Sequence, residues 1–130
     1  MTLDRCGDQA ALVGRLFYSS MFLAFVYSKL IGFAGTVGYM TKLGLPAPTV
    51  FAALAVIIEL GGGLLMLVGY RTRLVALGLA IYVLVAALIA HRHFADANQF
   101  SHFMKNMAIV GGSLAFVAFG AGAYSLDGRK

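Results

Sequence analysis

Four apolar stretches, separated by short polar or glycine-rich joints, make up most of the chain: residues 10–31, 49–69, 73–90 and 103–122. Each has about the length of a helix that crosses a hydrocarbon core, roughly 20 residues at about 1.5 Å rise per residue. The pattern predicts an all-α integral membrane four-helix bundle forming a single domain over residues 1–130. Between the first two spans, residues 32–47 (GFAGTVGYMTKLGLPA) are too short and too glycine-rich to cross. Phe33, Val37, Met40 and Leu43 recur there at helical steps, which predicts a short helix lying in the membrane interface. Gly44 and Pro46 end that helix and lead into the second span. Residues 70–73 form a basic turn, residues 91–102 (HRHFADANQFSH) a polar connector, and residues 123–130 a polar tail.

Polar positions inside the spans are few, and they fall in register. The second span holds one charge, Glu59, near its middle. Ala52, Ala55, Gly62, Gly63 and Met66 lie on or near its helical face, and such small residues let another helix approach closely. An ionisable group at this depth is costly, so it marks either a functional site or a carboxyl bonded to a neighbouring helix. In the first span Arg15 and Lys29 are fourteen residues apart and lie within about 40° of each other around a regular helix, with Tyr18, Ser19, Phe22 and Val26 on the same side. Depth counting makes Arg15 the expected partner of Glu59 and puts Lys29, Lys105, Asn106, His91, His93 and His102 in an outer layer.

Composition agrees with this picture. The chain is 61% hydrophobic and 12% charged, where soluble domains are about half apolar and a quarter charged. The net charge of +5 sits on no basic stripe, so nucleic acid is not a predicted partner and the lipid bilayer is. Arg5, Arg71, Arg73, Arg129 and Lys130 fall on one side of a four-span topology, against Lys42 and Arg92 on the other. The positive-inside rule then places both termini in the cytoplasm. Cys6 is the only cysteine, which excludes an internal disulfide, a CxxC centre and a thiolate metal cage.

The candidate ligand-binding residues are Glu59, Lys29, Lys105, Asn106, Arg15, His91 and His93. A quinone or similar small molecule needs donors such as Lys, His or Asn beside an apolar, aromatic-lined slot, and the outer half offers both. The expectation is a cavity open to the outside, bounded by the first, second and fourth spans and floored by Glu59. His91, His93 and His102 have metal-ligating chemistry but no diagnostic spacing, and no metal is assigned. Gly61-Gly62-Gly63 lies inside an apolar span with no preceding strand and is a packing feature.

An ordered set of short motifs completes the picture. Gly14-Arg15 and Ser28-Lys29 precede GFAGTVGYMTKLGLP; Glu59-Leu60-Gly61-Gly62 and Gly69-Tyr70-Arg71-Thr72-Arg73 follow. His91-Arg92-His93-Phe94, Phe103-Met104-Lys105-Asn106 and Gly122-Ala123-Tyr124-Ser125-Leu126-Asp127 close the series. Together they resemble the DoxX family, in its small inner-membrane branch, over residues 13–127. The resemblance implies a bacterial inner-membrane protein of four helices, and a component of a membrane oxidoreductase system with a soluble redox protein as partner. The residues that match the family's charged set are Arg15, Lys29, Glu59, Lys105 and Asn106. Two other functions stand beside that one: a non-catalytic membrane subunit or scaffold for a redox partner, and a small-molecule or proton transporter.

Overall fold

The computed structural model describes residues 3–90 and 95–129, and about 85% of it is helical, with no strand among the described residues. Five α-helices follow one another: α1 (Leu3–Ile31), α2 (Phe33–Lys42), α3 (Pro48–Val68), α4 (Thr72–Ala90) and α5 (Ala97–Phe119). A short 3-10 turn, Asp127–Arg129, ends the described chain. Four of the helices are long and apolar enough to cross a membrane: Arg5–Ile31 within α1, then α3, α4 and α5. The helix between the first two is α2, of ten residues.

Two spans begin earlier than the hydrophobic pattern places them. α1 starts at Leu3, because the polar lead of Arg5, Asp8 and Gln9 is compatible with helix and extends the apolar run rather than ending it. α5 starts at Ala97, so residues 97–102 are helix and not connector. Asp96 sets that start: its backbone is extended (φ −83°, ψ 117°) and its Oδ1 accepts from the Asn98 N–H at 2.9 Å. A capping side chain satisfies one of the donors that open every helix. Hydropathy alone does not register such a signal.

The chain divides into two compact units. The first runs to Tyr70 and resumes at Ala121; the second is Arg71–Gly120. In the first unit α1 packs against α3, and α2 packs against both. Along α1 the buried residues are Arg15, Ser19, Phe22 and Val26; along α3 they are Ala52, Ala55, Glu59, Gly63 and Met66. These are the two inward faces that the periodicity predicts. The contacts run antiparallel, with Arg15 level with Met66, Phe22 with Gly63 and Lys29 with Glu59. A Cβ at Gly63 would come within 3.1 Å of Leu23 Cδ2 and 3.3 Å of Phe22 Cβ, so the glycine sets how closely the helices approach. Lipid tails are as apolar as Leu, so association here rests on such packing and on polar contacts rather than on water expulsion.

α3 is bounded by backbone devices. Pro48 occupies its first turn, where a missing N–H costs nothing. Gly69, left-handed at φ 71°, closes it with an N–H bond to the Leu65 carbonyl at 2.9 Å. In the second unit α4 packs against α5. Its buried positions are Thr72, Ala76, Leu79, Ala80, Val83 and Ala87, a single stripe at three- and four-residue steps.

Candidate functional site

Glu59 is 3% exposed and meets Lys29, on α1, as an ion pair. Lys29 Nζ lies 2.9 Å from Oε2 and donates a hydrogen bond to Oε1 at 3.1 Å. The Lys29 side chain keeps 26% of its surface, against 4% for the carboxylate. Its ammonium also stands over the Phe25 ring, 5.8 Å from the centroid, a contact that the four-residue spacing on α1 makes available. An ammonium carries three N–H donors, so after facing two carboxylate oxygens Lys29 retains donor capacity on its open side. Lys29 also lies in the last turn of α1, where the helix carries partial negative charge and favours a cation.

Arg15 does not reach Glu59. Its Nε donates to the Ala121 carbonyl (3.1 Å), NH1 to Met66 (3.1 Å) and Leu67 (2.8 Å), and NH2 to Tyr124. Four of the five guanidinium N–H groups are thereby used, and the residue is fully buried. The expected Arg15–Glu59 pair is therefore replaced by Lys29–Glu59, for two reasons. Met66 is seven residues along α3 from Glu59, about 10 Å at helical rise, so Arg15 stands well away from the carboxylate. Beside it instead lie the last carbonyls of α3, which have no partner within their own helix and attract a cation.

Lys105 and Asn106 sit on α5 in the second unit, Lys105 exposed and Asn106 half-buried. His91 and His93 lie outside the described residues. His102, placed in the connector by the hydrophobic pattern, is an exposed residue of the second turn of α5. The sequence reading did not identify the tail as a partner. Its residues return to the first unit, where Leu126 N–H bonds the Val68 carbonyl (3.0 Å), Asp127 N–H the Gly69 carbonyl (2.9 Å), and Ala123 N–H Asp8 Oδ1 (3.0 Å). These acceptors are mostly backbone and leave no mark in a residue pattern. The one available signal was an arginine in an apolar helix, which must find acceptors somewhere.

The DoxX family profile matches residues 10–92, a segment that contains Arg15, Lys29 and Glu59. The chain belongs to the DoxX family. It is 38% identical over 125 residues to the inner membrane protein YqjF of Escherichia coli K12, covering 96% of this chain and 95% of that one. It is 36% identical over 123 residues to the inner membrane protein YphA of the same organism, covering 91% and 88%. No solved structure matches the chain. With four helices of spanning length and inner-membrane relatives of nearly its own length, this DoxX-family chain is a multi-pass inner-membrane protein.

Proposed function

We propose that this DoxX-family protein is a component of a membrane oxidoreductase system and binds a quinone or a similar small molecule at Lys29 and Glu59. The observation that carries the reading is the asymmetry of that pair: a fully buried carboxylate holds an ammonium that is one-quarter exposed and has donor capacity to spare. A quinone carbonyl is a neutral acceptor, and a fixed ammonium in an apolar wall suits it. Glu59 serves to hold the ammonium in place and to offset its charge while no ligand is bound. With one cysteine the chain has no dithiol pair of its own, and the proposed source of electrons is a redox partner protein. The chain works as one membrane domain with both termini in the cytoplasm, a topology supported by the basic residues at its ends and at the Arg71–Arg73 turn.

A second reading, a non-catalytic subunit that holds a redox partner, draws on α5, whose first turns expose Asn98, Ser101, His102 and Lys105. Gentle purification separates the two. The absorbance spectrum and lipid extract of the wild type should contain quinone, and those of Lys29→Met should not. A stoichiometric protein partner with no quinone in either sample overturns the first reading in favour of the second. Quinone retained at the wild-type level in Lys29→Met, Glu59→Gln, Lys105→Met and His93→Ala shows that none of these residues forms the site.

A further inference from the structure

The chain leaves the first unit at Tyr70 and returns to it at Ala121, and Arg15 bonds the backbone on both sides of that gap. On the outgoing side it takes the Met66 and Leu67 carbonyls; on the returning side it takes those of Ala121 and Tyr124. Both crossings are built from left-handed residues. The outgoing one has Gly69 at φ 71° and Arg71 at φ 48°; the returning one has Gly120 at φ 77° and Gly122 at φ 84°. Such residues turn the chain sharply, and the Gly69 and Gly120 N–H groups each bond the carbonyl four residues back, which ends α3 and α5 there.

We propose that Arg15 is a lock within the first unit: one buried guanidinium holds together the end of α3 and the returning tail, the two segments by which the chain leaves that unit and re-enters it. The lock does not depend on the ligand reading of Lys29 and Glu59. Three further features build it. Leu126 and Asp127 bond the Val68 and Gly69 carbonyls, so the crossings are zipped backbone to backbone beside the guanidinium. A Cβ at Gly69 would lie 2.9 Å from Arg15 NH1 and would collide with Ser125 Cβ, so the outgoing turn has no room for a side chain against the lock. A Cβ at Gly122 would lie 2.9 Å from Ala11 Cβ, which sets the returning turn equally close against α1.

A shared lock predicts that the two crossings, far apart in sequence, open together. Hydrogen exchange on the intact chain in lipid nanodiscs reads this directly, peptide by peptide. In Arg15→Gln, exchange should rise by about tenfold or more in peptides covering both 66–71 and 121–127, while peptides within 75–88 and 100–117 stay within about twofold of wild type. Gly69→Ala keeps the arginine and should still free 121–127, although the substitution lies on the outgoing segment. Opening of only one segment in Arg15→Gln overturns the lock, and so does wild-type protection of both. If Arg15→Gln does not fold, Gly69→Ala decides: 121–127 unaffected there contradicts a shared lock.

Discussion

α1 carries two cations on its inward face, a buried Arg15 near its middle and a part-exposed Lys29 in its last turn, and they are treated in opposite ways. Arg15 is fully buried and surrounded by backbone carbonyls from α3 and the tail, with almost every donor used. Lys29 meets a carboxylate and keeps part of its surface open. The difference follows from side-chain chemistry as well as from position. A guanidinium presents a rigid fork of five donors and suits several fixed acceptors at once, whereas an ammonium is a compact point charge on a flexible stem. A saturated cation fastens. A cation with a free side can recognise something. The two cations of one helix therefore divide structure from the proposed binding.

The largest expected effect comes from removing the fastening cation. Arg15→Leu removes the donors of four carbonyls, those of Ala121 and Met66 in buried bonds, and should cost about 3–5 kcal/mol of stability by circular dichroism melts in detergent. Loss below about 1 kcal/mol would mean that the tail and the end of α3 find other partners. Next comes the pair. Lys29→Met leaves the more deeply buried member uncompensated and should cost about 2–4 kcal/mol, more than Glu59→Gln, since the freed lysine can extend toward the interface. The double variant Lys29→Met/Glu59→Leu should recover much of that loss, a non-additivity expected of neighbours. Equal costs for both single variants would remove the asymmetry on which the comparison rests.

Two smaller changes sharpen the account. Gly63→Ala places a methyl 3.1 Å from Leu23 Cδ2 and pries α1 from α3 between the two cations. A cost of about 1 kcal/mol is the expected result in the same melts. Asp96→Ala removes the cap of α5 and should cost about 0.5–1 kcal/mol, with exchange rising only in the first turn of that helix.

What was legible in the sequence was periodicity. The buried faces of α1 and α3 are the stripes that three- and four-residue spacing marks, and the short helix between the spans follows from glycines and one proline. Glu59 was expected to meet the first helix, and it does, through Lys29 rather than Arg15. The pairing was not legible because it turns on axial register, and the register depends on where α1 begins, seven residues earlier than hydropathy suggests. The tail was read only as polar, and its docking was missed because most of its bonds run between backbone groups, which side-chain pattern does not encode. α5 was started late because its opening turns are polar and its start is fixed by one capping aspartate.

The division between the two cations is tested most directly by titrating a short-chain quinone analogue into nanodisc-embedded wild type, Lys29→Met and Arg15→Lys. The account predicts saturable binding to the wild type, affinity reduced by about tenfold or more (~1.4 kcal/mol) in Lys29→Met, and affinity within about twofold of wild type in Arg15→Lys despite its lower stability. Equal affinity in wild type and Lys29→Met, or a loss confined to Arg15→Lys, would contradict it.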